Sequence, residues 1–221
     1  MKKLVLFDID KTLIKDLEWE KLKFSEVFKK VYGIDASLDK IEHSGMTDQE
    51  KIFKVLKRRG LKEKEILSKM EHCEKIMLNG YSDKSLEKFD GVKELLEGLE
   101  KNNILIGTVT GNFKSVAILK LKKVGLYHYF KVGGFGNDRI NRAKIINMAI
   151  KRAKEKFDFK FNNNVFLIGD TLRDIKAAKE AGIKVIGVAT GVWTEEQLKK
   201  AGADFVFKDF KDRNKILKVI L

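Results

Sequence analysis

Residues 4–14, LVLFDIDKTLI, run four apolar residues straight into Asp8, and Asp10 and Thr12 follow at two-residue spacing. A second apolar run ends in Thr108-Val109-Thr110-Gly111-Asn112, and a third ends in Gly169-Asp170-Thr171-Leu172-Arg173-Asp174. A parallel sheet carries the ends of its strands to one edge, where Asp8, Asp10, Asp170 and Asp174 would converge. Four carboxylates in one place are costly unless a cation neutralises them. Hard oxygen ligands in a site that also holds a phosphate point to Mg²⁺. Taken singly, D-x-D-x-T, T-G-N and G-D are ordinary turn and cap sequences. The weight lies in their joint occurrence, in order, each at a strand end.

The elements that must position these residues are visible as apolar runs at 3–8, 103–110, 164–170, 183–190 and 203–207. These runs are continuously apolar rather than alternating, as expected of strands covered on both faces of a parallel sheet. Helix-period segments separate them, at 92–101, 113–124, 143–157, 172–181 and 194–201. Thr194 and Gln197 read as a capping box at the start of the last. The alternation predicts an α/β fold, a doubly wound, Rossmann-like parallel sheet. Between Thr12 and Leu105 the strand pattern stops, and helical patterns fall at about 17–32, 48–59 and 62–78. The expected organisation is a core of 1–14 and 90–221 with an all-helical cap at 15–89. Ligands bind beyond the carboxyl ends of such strands, so a helical insertion leaving that edge would sit over the site as a lid.

With "DIDKT", "VTGN" and "GDTLRD" in place, the sequence resembles a haloacid-dehalogenase-superfamily hydrolase of the kind with a helical cap after the first strand. The resemblance covers essentially the whole chain. "SGMTD" (44–48), "FDGVKELLEGL" (89–99) and "VGLYHYF" (124–130) are similar to the phosphoglycolate-phosphatase-like branch. One motif departs from the family pattern. Its basic residue, often followed by proline, has three candidates in "NDRINRAKIINMAI": Arg142 first, Lys144 second and Arg139 third.

The resemblance implies a Mg²⁺-dependent phosphatase acting on a small phosphomonoester, 2-phosphoglycolate among them. Asp8 is then the expected nucleophile, forming an aspartyl-phosphate. Asp10 is the expected general acid and base, and Thr12 would fix the turn that aims it. The metal set implied is Asp8, the Asp10 backbone carbonyl and Asp170. Thr110, Gly111 and Asn112 would hold the phosphoryl oxygens at a helix N-terminus. Arg142 or Lys144 would neutralise charge there, and Asp174 would order metal-bound water or the basic residue. An acid at position 10 favours phosphoryl transfer over dehalogenation, because a halide leaves without a proton. A sugar phosphomutase of the β-phosphoglucomutase type uses the same two aspartates and is a second reading; a non-catalytic binding module is a third.

Other residues read more plainly. Thr47 and Glu50 in "GMTDQE" suggest a capping box, and the same loop, with His43, Met46 and Asp48, could drop onto the substrate. Adjacent His72 and Cys73 face different ways on a helix and read as structural. His128 reads as packing, Trp19 and Phe24 as core, and Trp193 as cover for the sheet edge. The net charge of +14 comes from 46 basic and 32 acidic residues interleaved along the chain, without a nucleic-acid-binding motif. A solvated lysine-rich surface is the expectation, with a small phosphorylated metabolite as partner and neither nucleic acid nor membrane. No apolar run approaches the ~20 residues of a membrane helix. One cysteine fits a reducing compartment, and the protein is expected to be cytoplasmic, as a monomer or homodimer.

Overall fold

The computed structural model describes residues 2–15, 20–81, 85–162 and 164–221. Among them a six-stranded, all-parallel sheet is ordered β3-β2-β1-β4-β5-β6. Its strands are β1 Leu4–Phe7, β2 Leu105–Val109, β3 Val132–Gly134, β4 Val165–Gly169, β5 Lys184–Val188 and β6 Phe205–Phe207. The apolar runs form the interior strands because both faces are covered. Val5 and Phe7 point into one apolar cluster, with Leu95, Leu99, Ile216 and Ile220. Leu4 and Leu6 point into the other, with Ile146, Ala149, Ile175 and Leu198. The two-residue period of a strand makes this division. On the first face lie α5 Val92–Lys101 and α10 Arg213–Ile220; on the second lie α7 Arg142–Phe157, α8 Leu172–Glu180 and α9 Glu195–Lys200.

β3 and α10 are absent from the sequence reading. β3 is only three residues, two of them glycine. A Cβ on Gly134 would come within 2.3 Å of the Ile145 carbonyl, so glycine is what lets α7 press against this edge.

The middle strands run level, with Phe7 paired to Thr108 on one side and to Ile168 on the other. Asp8, Thr110 and Asp170 therefore leave the sheet at the same edge. The chain then turns sharply. Lys11 adopts a left-handed conformation (φ 60°), and its N–H donates to the Ile14 carbonyl at 2.7 Å. A non-glycine residue held there stores local strain beside the site.

Between Ile14 and Lys88, which bridge to each other, the described chain is helical. Its helices are α1 Glu20–Tyr32, α2 Asp48–Arg58, α3 Glu63–Ser68 and α4 Met70–Gly80. They surround a third apolar cluster of Phe24, Phe28, Ile52, Cys73 and Met77. Phe113 and Val116, at the start of α6 Lys114–Lys123, complete it. Phe24 is core, as expected; Trp19 lies outside the described residues. The single helix expected over 62–78 is two, broken at Lys69 (φ −107°, ψ 6°). Tyr32 Oη donates to the Ile66 carbonyl at 2.8 Å, satisfying an acceptor that the break exposes. Among the described residues, no helix is long and apolar enough to cross a membrane.

Candidate active site

β1 delivers Asp8 into a buried position, and β4 delivers Asp170 beside it. Carboxylate oxygens of Asp8, Asp170 and Asp174 all lie within 4.8 Å of one another. Burial pushes the Asp8 carboxyl up to about 7, against the pull of Arg142 and with help from Asp174 and Asp10. Burial, then Asp8 and Asp174, hold Asp170 well above the ordinary carboxylate range. An all-oxygen, buried acidic set of this kind fits a hard divalent cation, whose charge would offset the desolvation.

Arg142 is the basic residue that the fold brings in. It is the first residue of α7, and its Nη2 lies 2.6 Å from both Asp8 Oδ1 and Asp174 Oδ1. Asn141 caps this helix by accepting from the Lys144 N–H at 2.9 Å. Lys144 and Arg139 are exposed and contact none of the acids. Asp174 does hold the basic residue. It is fixed in turn by a capping box at α8, where Thr171 N–H and Oγ1 donate to its Oδ2 at 3.0 and 2.6 Å.

Two expectations need correction. The four acids do not all converge: the Asp10 carboxylate turns away from the other three. Its Oδ1 lies 2.6 Å from Lys120 Nζ, and its Oδ2 accepts from Asn112 Nδ2 at 2.5 Å. Thr12 sits in the turn after Asp10, its N–H donating to the Ile9 carbonyl at 3.3 Å, and its Oγ1 donates to Asp170 Oδ1 at 3.1 Å. The first turn of α6 is not free for phosphate. Its N–H groups at Phe113, Lys114 and Ser115 donate to Asp48, Asn137 and Glu74. Thr110, the Gly111 N–H and the Asn112 amide remain at the pocket wall, with Thr110 Oγ1 accepting from Asn112 N and Nδ2 at 3.2 and 3.1 Å.

The loop around Met46 starts a helix and also reaches the pocket. Thr47 Oγ1 accepts from the Glu50 N–H at 3.0 Å, so the loop starts α2. Glu50 does not close the box; its carboxylate pairs with Arg173 at 3.2 Å instead. His43 and Met46 line the pocket, whereas Asp48 is buried behind it and ties α2 to Phe113. Cys73 is buried beside Tyr32, as expected of a structural residue, whereas His72 and His128 are exposed, the His128 ring lying 4.0 Å from the Tyr129 ring at a 40° tilt. Trp193 packs over the second apolar cluster.

The residues that sequence reasoning missed form a buried ionic group between the helical insertion and the sheet domain. Lys120 of α6 is fully buried, with Glu20 Oε2 at 3.4 Å in addition to Asp10, and the Tyr81 ring 4.7 Å below its ammonium. Lys51 reaches Asp48 at 3.3 Å and Glu20 at 3.5 Å. Burial disfavours the Lys120 charge, but Asp10, Glu20 and Asp48 outweigh it and hold the ammonium more firmly protonated than an ordinary lysine. Burial raises Glu20, and Lys120 and Lys51 more than reverse that, bringing it to about 2. One signal was available: Lys120 shares the apolar side of its helix with Val116, Ala117 and Leu121.

Glu20 and Lys51 of this group line a cavity of about 660 Å³, together with Asp8, Asp10, Arg142 and Asp170. A buried carboxylate beside a guanidinium and an acidic cation site, with a second carboxylate on the wall, suits phosphoryl transfer. The family model for haloacid dehalogenase-like hydrolases matches residues 5–188. The chain belongs to that family. Over 211 residues it is 27% identical to the pyrophosphatase PpaX of Halalkalibacterium halodurans, covering 94% of this chain and 93% of that protein. It is 24% identical to a phosphoglycolate phosphatase of Synechococcus elongatus over 128 residues, 58% of each chain. The crystal structure of CbbY from Rhodobacter sphaeroides in complex with phosphate superposes with a TM-score of 0.75 at 20% identity, over 95% of each chain, and so shares the fold. The chain is a hydrolase of the phosphatase kind.

Proposed function

We propose that this hydrolase is a Mg²⁺-dependent phosphatase that cleaves a small phosphorylated molecule through an aspartyl-phosphate on Asp8. The observation that carries the reading is Asp8 itself, buried at the end of the central strand between Arg142 and the Asp170 carboxylate. A Mg²⁺ held by Asp8, Asp170 and the Asp10 carbonyl would supply charge for the phosphoryl oxygens.

The chain's own residues divide the remaining work. Thr110, the Gly111 N–H and Asn112 orient the phosphoryl group in line with an Asp8 oxygen, so that attack needs little further ordering. Arg142 spreads positive charge over the nucleophile and the transferred group, and Asp174 keeps the guanidinium in place. Asp10 gives a proton to the departing oxygen, then takes one from the water that releases phosphate from Asp8. Residues 15–89 act as the cap, and residues 1–14 and 90–221 as the catalytic core.

For the substrate, the names of the relatives point to pyrophosphate and to phosphoglycolate, each of which carries a second anionic group. The cavity wall fits such a molecule, since Lys11, Lys15, Lys21 and Lys51 line it above the phosphoryl position. Hydrolysis of pyrophosphate, 2-phosphoglycolate and p-nitrophenyl phosphate, with phosphate release measured, tests the reading. Free phosphate from a doubly anionic substrate supports it. Isomerisation of a sugar phosphate without phosphate release would replace it with the phosphomutase reading, and absence of all turnover with a phosphate-sized ligand still bound would leave a binding module.

A further inference from the structure

We infer that Lys120 is a positioning residue for Asp10: a buried ammonium on α6 that fixes the carboxyl group aiming a proton at the leaving oxygen. The inference rests on the reading of Asp10 as proton donor and goes one residue beyond it. Asp10 lies beyond the end of β1, immediately before the left-handed Lys11 turn, and its side chain is 29% exposed at the cavity wall. A carboxylate so placed rotates freely unless something holds one oxygen.

Lys120 holds Oδ1 at 2.6 Å. It is itself immobile, with no solvent exposure, the Tyr81 ring 4.7 Å away and Glu20 at 3.4 Å. With Oδ1 committed, the carboxyl plane is fixed. Oδ2 is left on the side of the phosphoryl-binding residues, where its present partner is the Asn112 amide at 2.5 Å. Neutral amide contacts are weaker than ammonium–carboxylate contacts, so Oδ2 is the oxygen that substrate can recruit. Lys120 pairs with Asp10 and Glu20, whereas Asp8 pairs with Arg142 and groups with Asp170 and Asp174. The arrangement also makes Asp10 answerable to the insertion, because Glu20 of α1 is the second carboxylate on the same ammonium.

The role predicts a dependence on the leaving group. An alkoxide must be protonated as it departs, whereas a p-nitrophenolate leaves well unprotonated. Values of kcat/KM, which report the steps up to transfer onto Asp8, are measured for an alkyl phosphate and for p-nitrophenyl phosphate in wild type and Lys120→Met. The expected result is a loss of ~100-fold on the alkyl ester and less than about fivefold on the aryl ester, since misplaced proton transfer costs at least the low end of the general-acid range. Because Lys120→Met leaves the partly buried Glu20 with Lys51 as its remaining ammonium, the double variant Lys120→Met/Glu20→Gln is measured beside it, with circular dichroism for the fold. It is expected to keep the same selective loss. Parallel losses on both esters, in both variants, would indicate a structural role and overturn the inference while leaving the phosphatase reading intact. A folded wild type that cleaves neither ester would overturn that reading first, and this inference with it.

Discussion

Arg142 stands between two buried carboxylates, and that position separates it from the other basic residues near α7. Arg142→Ala is expected to lower kcat about a hundredfold, the size of a lost ~3 kcal/mol transition-state contact. It is also expected to destabilise the fold, because Asp8 and Asp174 lose their common partner. Lys144→Ala, at an exposed position whose backbone alone is used for capping, should leave kcat near wild type. Steady-state kinetics on both variants check the pair, and the reverse pattern would move the role to Lys144. Asp8→Asn should abolish turnover with the circular dichroism spectrum unchanged, and retained activity of more than a few per cent, with deamidation excluded, would remove Asp8 as nucleophile. The sequence made Asp8, Asp170 and Thr110 legible because each follows a continuously apolar run, and a parallel sheet has only one edge to which such ends go. Arg142 was legible only as one of three, since a helix start is defined by its cap and not by periodicity. The Asp10 side chain was misplaced for a different reason. Its partner Lys120 is more than a hundred residues away, and only its place on the apolar side of α6 sets it apart from the solvated lysines beside it in "ILKLKK".

At the scale of elements, the insertion touches the sheet domain through groups that normally face water. Asp48 and Glu74 occupy the start of α6, where the helix dipole favours negative charge. The Asp48 N–H donates to the Gly111 carbonyl at 2.8 Å. Gly111 has no room for a side chain: a Cβ would lie 2.6 Å from the Met46 carbonyl oxygen and 2.9 Å from Thr47 Cα. Gly111→Ala should therefore push the 43–47 loop off the pocket, seen as faster hydrogen exchange at the Asp48 amide together with lower kcat/KM. Unchanged exchange would show that the loop yields in place. Glu20 provides a pH test. Its folded value of about 2 lies below the ordinary 4.5, so the stability it contributes is complete above 4.5 and is lost as pH falls toward 2. Wild type should lose stability across that window in urea unfolding, and Glu20→Gln should lose less. The parallel sheet and helical insertion were readable from period and run length. The break at Lys69 was not, because the apolar stripe continues through it and only the Tyr32 hydroxyl reveals the gap. Nor was β3, a three-residue strand paired to β2 whose Gly134 lets α7 approach, and two glycines give it little strand propensity of its own.

For the molecule as a whole, a cation bound at Asp8 and Asp170 should act on stability as well as on rate. Mg²⁺ is expected to be required for turnover, with Ca²⁺ a poor substitute because it takes more and longer bonds. It should also raise the unfolding midpoint, by about 2.7 kcal/mol of stabilisation at a hundredfold excess over its dissociation constant. Asp170→Asn should erase that gain in calorimetry, and full activity in excess EDTA would exclude any metal role for Asp170. One feature of the sheet reaches beyond the finished protein. β1 lies in the middle, yet it precedes in the chain both strands that flank it: Leu4 pairs with Leu105 and with Val165. During synthesis the ribosome must add about a hundred residues before the first of those neighbours exists, roughly 5–20 seconds of elongation at 5–20 residues per second. For that time LVLF, later wholly enclosed, has no native partner, while the helices between it and β2 can already coil locally. The strand that carries the nucleophile is thus made early and buried late, and a nascent chain halted before β2 would present that strand to whatever chaperone or second chain is near.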